Sequence, residues 1–526
     1  MPFRQLRLWA GRAPLPQRVA AGIGAALVVA VVSWLLVPPK ATVTTVGAGT
    51  FPNSGAGSPG AAPGRAGAAT GATVSPAGTA GAGTPGSVAG TSPGGGGGTT
   101  PGAPAGGNQA GPAVATPNGT GCSPPPGTDQ GVSGADIKIA IIVINIFGPT
   151  TNGAFGIASA SQQQAYFQNV VNAINSSGGV ACRHKLAPVF FQANAADSSN
   201  LQQVCLDVEQ AKVFAVVDYG AYDIYPSLAA CFPNSGLPYI SVTLPPQSEQ
   251  KQFYPYIFSS ASTLELLYRN AVMALAGRGF FSASSGFRKL GFLYEDCVAQ
   301  EPPEVEALLH QVGLSAAQIV TYDLGCPTGF ASPSDVEQAV LKFKGSGVTH
   351  VTEAGTVPNF GLFTKVAEQQ GFRPKYGLPD EGEVAVTNSN EGPDQNNIAD
   401  AVAITGGRFG EDVTPGMQPT AGTKACSAIF QANGMPPVYQ QPLGAGGSAC
   451  DDLWLLAGAV NHAPALQRRA LAAGLQAARS VEFSYPYGPN KFDPGVTTGQ
   501  EFWRPLQFLT SCGCWRVIDP TFHPSF

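Results

Sequence analysis

From Ile137 onward, short and almost wholly apolar runs alternate with longer amphipathic ones. Ile137–Ile144 (IKIAIIVI) has Lys138 as its one polar residue, the composition of a strand buried on both faces. A helical pattern follows over Gln162–Asn175 and stops at Ser176-Ser177-Gly178-Gly179. Leu186–Phe191 reads as strand, Leu201–Gln210 as helix, Val213–Val217 as strand, Pro226–Phe232 as a short helix and Tyr239–Val242 as strand. The alternation then starts again. Ser262-x-x-Glu265 reads as a capping box opening a helix to about Ala276. Strands at Leu290–Tyr294, Ile319–Tyr322, Val348–Thr352 and Tyr376–Leu378 are separated by helices at Glu304–Val312, Ser334–Phe343 and Phe360–Gln370, the second opened by Ser334-x-x-Glu337. Such alternation predicts parallel sheets covered by helices. Two runs of about 120 residues each predict two lobes. Residues 401–526 show no third run and complete both: lobe one spans about 131–261 and 385–490, lobe two about 262–382 and 491–526.

The first 130 residues are a different material. Val19–Val37 is apolar apart from Ser33. Its 19 residues make a helix of roughly 28 Å, close to the thickness of a bilayer core. Arg4, Arg7, Arg12 and Arg18 precede it and Lys40 alone follows closely, which places residues 1–18 in the cytoplasm and the rest outside. Pro38-Pro39-Lys40 offers no small-x-small cleavage site, so 19–37 is expected to be an uncleaved, single-pass anchor in the cell membrane; a cleaved secretory signal is the alternative. Residues 41–130 are Gly, Ala, Pro, Ser and Thr with few large apolar groups, and are expected to form a disordered linker. Gly55-Ala-Gly57-Ser-Pro-Gly60 and Gly90-Thr-Ser92-Pro-Gly94 match nucleotide-binding and hydrolase patterns formally. They lack the strand before and helix after that those mechanisms require. Net charge is −5 and no basic stripe follows residue 40, which excludes a nucleic-acid partner.

All ten cysteines lie from Cys122 onward, on the expected outer side, where an even number points to disulfides. None has metal-ligand spacing, so no metal and no cofactor is expected. Cys297–Cys326, at the ends of neighbouring strands, and Cys205–Cys231, on neighbouring helices, are the candidate bridges. Cys512 and Cys514, two apart, are a poor zinc signature and awkward as a mutual disulfide.

Parallel α/β sheets bind ligands beyond the carboxyl ends of their strands. The stretch DYGAYDIYPS (218–227) sits at such an end, as do Ile146–Thr150, Thr243–Pro246, Glu295–Cys297, Glu353–Asn359 and Asp380–Glu381. Tyr219, Tyr222 and Tyr225 offer ring faces and hydroxyls to an amphipathic ligand. Asp218, Asp223, Glu295 and Asp296 could serve acid–base chemistry, but no nucleophile, metal cluster or phosphate loop accompanies them. A non-enzymatic role is expected.

GVSGADIKIAIIV, AINSSGGVACRHKL, VFAVVDYGAY, SGLPYISVT and KLGFLYEDC resemble, in order over roughly 131–382, the extracellular binding receptors of branched-chain amino acid ABC importers. The resemblance implies a type I periplasmic-binding-protein-like fold, two α/β lobes closing on a small ligand that is passed to permease subunits. It also implies contacts. The position of the serine or threonine that holds a ligand carboxylate carries Tyr222 instead, a hydroxyl contact survives at Thr243, and the position of the acid that pairs an ammonium carries Asn359, a loss that weakens the case for an α-amino acid, with Glu353 in the same loop. The expected ligand site is therefore Tyr219, Tyr222, Thr243, Glu295, Glu353 and Asn359. The expected function is a membrane-anchored extracellular solute-binding protein for an amino-acid-like, amide or aromatic ligand. The alternative is a surface sensor or interaction module that keeps the fold without transport.

Overall fold

The computed structural model describes residues 125–526 apart from 146–147, 155, 195–196, 220–225, 243, 297–300, 326–330, 356, 381, 391 and 486. Lobe one is built on β1 (Asp136–Ile144), β2 (Lys185–Ala193), β3 (Ala215–Asp218), β4 (Tyr239–Ser241) and β5 (Ile257–Ser259). They pair in parallel in the order β2-β1-β3-β4-β5. The central β1 and β3 are buried almost throughout, which is why both read as unbroken apolar runs. Helices Ala160–Ser176 and Ala445–His462 pack on this sheet, and Phe167, Val170, Leu453 and Trp454 join its isoleucines in one core.

Lobe two holds β6 (Leu290–Tyr294), β7 (Ile319–Asp323), β8 (His350–Ala354), β9 (Lys375–Pro379), β10 (Val402–Thr405), β11 (Phe502–Leu509), β12 (Cys514–Val517) and β13 (His523–Pro524). The order is β12-β11-β10-β9-β8-β6-β7, with β13 on β11. β6 to β10 run parallel, while β11 is antiparallel to β10, β12 and β13. Gly291 in β6 is required by packing: a Cβ there would sit 2.8 Å from the ring of the buried Phe343.

Three expectations about the chain's course are corrected. The return to lobe one, expected at about 385, comes after Thr405, because β10 pairs with β9 and extends lobe two. Neither capping box forms as expected. Thr263 caps Leu264–Gly277 by accepting from Leu266 N, while Glu265 accepts from the Gln247 amide. Ser332 caps Pro333–Gly345, where proline at the first helical position fixes the start. Residues 126–130, expected in the linker, pack on lobe one: Leu466 N donates to Pro126 O (3.0 Å) and Arg468 N to Asp129 Oδ2 (2.9 Å).

The architecture expected with a transmembrane helix ahead of the lobes is corrected to the two-lobed α/β fold alone. Among the described residues no helix is long and apolar enough to cross a membrane. The expected span Val19–Val37 lies outside the described residues, as does the linker up to residue 124. The anchor, the membrane contact through 19–37 and the single-pass placement therefore have no support in the structure.

Cys205–Cys231 joins helices Ser198–Gln210 and Pro226–Asn234, and Cys426–Cys450 joins Ala421–Gln431 to Ala445–His462. Cys297 and Cys326 lie outside the described residues. Cys512 and Cys514 do bond to each other, contrary to expectation. Gly513 between them has φ +59°, and this left-handed turn brings their Cα atoms to 5.2 Å, within disulfide reach.

Candidate ligand-binding site

The chain leaves lobe one after β5, leaves lobe two after β10 and returns to lobe two before β11. These three crossings bond to one another. Ser259 bridges to Thr498 and Gly407 to Tyr487, and Gly499 N donates to Ala261 O (2.9 Å). Because the first two crossings leave the carboxyl ends of β5 and β10, both sheets turn their ligand-binding edges toward the hinge.

On the lobe-two edge the structure brings Glu295 and Asn359 together: Asn359 Nδ2 donates to Glu295 Oε1 (2.9 Å). Asn359 Oδ1 accepts from Ala331 N (2.6 Å), so both ends of this amide hold protein groups. The family's ammonium-pairing position thus carries an amide bonded to protein groups, and the carboxylate at that point is Glu295, buried beside Gly355. Glu353 sits inside β8 opposite Leu293 and is buried. On the lobe-one edge, Asp218 is fully buried and accepts from Tyr239 Oη (2.6 Å). Tyr219 is buried with its ring edge-on to Phe167, and burial pushes its pKa up. The expectation that Tyr219 presents a free ring face is corrected, since its ring belongs to the lobe-one core. Tyr222, Tyr225 and Thr243 lie outside the described residues.

The hinge also contains charges that pattern reading passed over. Asp451 and Asp452 lie side by side on the buried helix Ala445–His462. Ser484 N donates to Asp451 Oδ1 (2.6 Å), and Ser260 Oγ to Asp452 Oδ1 (3.3 Å). Burial pushes the Asp451 pKa up to about 8, and raises that of Asp452 with help from the negative Asp451 and Asp218. Tyr487 Oη, from the third crossing, donates to Val242 O (2.8 Å). Beside β10, Arg504 is fully buried and Glu411 nearly so. Glu411 Oε1 accepts from Arg504 Nη1 at 2.8 Å and lies 3.4 Å from Arg408 Nη1. The Phe522 ring lies 4.3 Å from the Arg504 guanidinium. Burial lowers the Arg504 pKa to about 10 and raises that of Asp380, at the end of β9, to about 6. The available signal was the acid pair in the otherwise apolar AGGSACDDLWLLAGAV, since aspartates are seldom buried without a structural reason.

Among the described residues one group has metal-ligand spacing, Cys205, Glu209 and Cys231. Its two sulfurs are bonded to each other and so lack the thiolates a metal needs. Asp218 and Glu295, two of the acids considered for acid–base work, belong to different sheets.

A family model described as periplasmic binding protein matches residues 142–510. The chain belongs to the periplasmic binding protein family. Solved structures share the fold of this periplasmic binding protein at low identity. An ABC transporter substrate-binding protein from Desulfitobacterium hafniense, in complex with Leu, is 17% identical with a TM-score of 0.52, covering 73% of this chain and 100% of that one. A fatty acid ABC transporter substrate-binding protein from Thermomonospora curvata is 12% identical (TM-score 0.52; 76% and 94%). A solute binding protein of an ABC transporter from Rhodopseudomonas palustris BisB5, in complex with 3,4-dihydroxybenzoic acid, is 15% identical (TM-score 0.53; 74% and 97%). At these identities the likeness carries the fold alone. Among curated proteins none matches the chain.

Proposed function

We propose that this periplasmic binding protein captures a small organic solute outside the cytoplasm by closing its lobes, and delivers it to an ABC importer of the branched-chain amino acid type. The observation that carries the reading is the hinge. Two parallel sheets turn their carboxyl edges toward three mutually bonded crossings, the arrangement in which a ligand held from both sides draws the lobes together. Structurally similar receptors are described with leucine, a fatty acid and 3,4-dihydroxybenzoic acid, so the fold does not select the ligand. The residues do so in part. Glu295 is a buried carboxylate at the lobe-two edge, and supports a ligand that carries an amine or amide donor. Tyr222 and Thr243 remain the candidate lobe-one contacts.

A thermal-shift screen of the purified protein tests this with leucine, isoleucine, leucinamide, 3,4-dihydroxybenzoate, decanoate and short peptides. A ligand at a hundred times its dissociation constant stabilises by about 2.7 kcal/mol. The expected result is a shift from an amine- or amide-bearing compound that is lost in Glu295→Gln and weakened in Tyr222→Ala and Thr243→Ala. A cooperative melt unmoved by every compound would sink the receptor reading and favour an interaction module. A shift untouched in Glu295→Gln would keep the receptor and remove the amine contact.

A further inference from the structure

The described disulfides differ in what they do for the fold. Cys426 and Cys450 are fully buried, and their bond closes a sequence separation of 24 between two core helices. Cys205 and Cys231 are half-buried and close a separation of 26. Cys512–Cys514 closes a separation of two, at the tip of the β11–β12 hairpin, with Cys512 exposed and Cys514 half-buried. A cross-link over so short a segment removes little entropy from the unfolded chain.

Nor does the hairpin depend on that bond. The β11–β12 ladder runs from Leu506↔Val517 to Leu509↔Cys514, and Trp515 Nε1 anchors β12 by donating to Thr387 Oγ1 (2.7 Å). The disulfide is thus open to solvent, contributes little to the fold, and is flanked by structure that keeps the two sulfurs close after the bond is cut. Such disulfides are the labile ones in thiol exchange.

We propose that Cys512–Cys514 is a redox site that exchanges with external thiols while the rest of the protein stays folded. A thiolate attacks the exposed Cys512 Sγ, forming a new S–S bond. The Cys512–Cys514 bond breaks, and its electron pair leaves on Cys514 Sγ, which the ladder holds in place. A second thiolate attacks the external sulfur of the mixed disulfide and releases Cys512 as thiolate together with a small-molecule disulfide. Two external thiols are oxidised, the protein disulfide gains two electrons, and both cysteine thiolates take protons from water. The site lies at the outer edge of lobe two, on the strand farthest from β7 in its sheet, so it is independent of the ligand reading.

The test is graded 2-mercaptoethanol on the native protein, quenched in acid, alkylated with N-ethylmaleimide and read by peptide mass spectrometry. Cys512 and Cys514 should label at about a tenth or less of the thiol concentration that opens Cys205–Cys231. Cys426 and Cys450 should stay unlabelled and the melt cooperative. The double variant Cys512→Ser/Cys514→Ser should melt within a few degrees of the wild type. Labelling of Cys512 and Cys514 only together with the other pairs would overturn the proposal. So would a double variant that loses its cooperative melt, because the bond would then be structural.

Discussion

On the lobe-one side of the hinge, Asp451 and Asp452 are fully buried and bonded to neutral donors, Ser484 and Ser260. On the lobe-two side, Arg504 is as deeply buried, but it is bonded to a charge, Glu411. The first wall avoids the cost of buried charge by keeping protons, since burial raises both aspartate pKa values. The second keeps its charges and pairs them, with the Phe522 face against the guanidinium. The two walls should therefore respond to different perturbations: one to loss of a partner, the other to pH.

The largest effect belongs to the paired wall. Glu411→Ala leaves Arg504 charged, buried and without its acceptor, and strips Arg408 of the same oxygen. Breaking a buried pair from one side costs about 3–5 kcal/mol, mostly the desolvation of the charge left behind. The midpoint of urea denaturation measures it. A loss under about 1 kcal/mol, the range of exposed pairs, would mean that water reaches the guanidinium and that the contrast between the walls is false.

The protonated wall should show in the pH dependence. Asp451 rises from 3.8 to about 8 on folding. Between those values the folded protein holds a proton that the unfolded chain has released. Stability contributed by this group is therefore full below about pH 4 and falls as pH rises toward 8, with a slope approaching 1.4 kcal/mol per pH unit. Asp380, raised to about 6 on the other wall, adds loss in the same direction over the lower part of the window. Asp451→Asn keeps an acceptor for Ser484 N and removes the titration. Its urea midpoint, compared with wild type, should gain steadily from pH 5 to pH 8. Parallel curves would show that Asp451 ionises in the folded state without penalty.

How far these walls were legible follows from how each is made. Strands buried on both faces announce themselves as apolar runs: β1 and β6 lie within one residue of their expected ends. β10 and β11 did not, because β10 is four residues long and β11 interleaves Arg504, Pro505 and Gln507 with its apolar positions. Missing β10 moved the second crossing by some twenty residues, and with it went Arg408 and Glu411, which belong to the loop that β10 feeds. Charge in a hinge cannot be seen by periodicity, since partners such as Glu411 and Arg504 are far apart in the chain. The expected site residues were drawn from strand ends, and strand ends do gather at the hinge. What a strand end does not reveal is rotation: Tyr219 turns into the core and Asn359 turns onto Glu295.

The smallest effect tests whether the two walls act through the crossings at all. Tyr487 stands on the third crossing, opposite Gly407 of the second, and its hydroxyl donates to Val242 O at the end of β4. Burial raises its phenol pKa, and Asp452 and Asp451, when ionised, would disfavour a phenolate further. Tyr487→Phe removes one hydrogen bond and leaves the ring, so the expected loss is about 1 kcal/mol in urea, independent of pH below 8 because the phenol stays neutral throughout. Combined with Asp451→Asn, the two changes in stability should fail to add if the third crossing couples the walls, since groups sharing one network couple by about 0.5–3 kcal/mol. Simple additivity would mean that each wall settles its charge locally, and that the hinge joins the lobes by backbone bonds such as Gly499 N to Ala261 O alone.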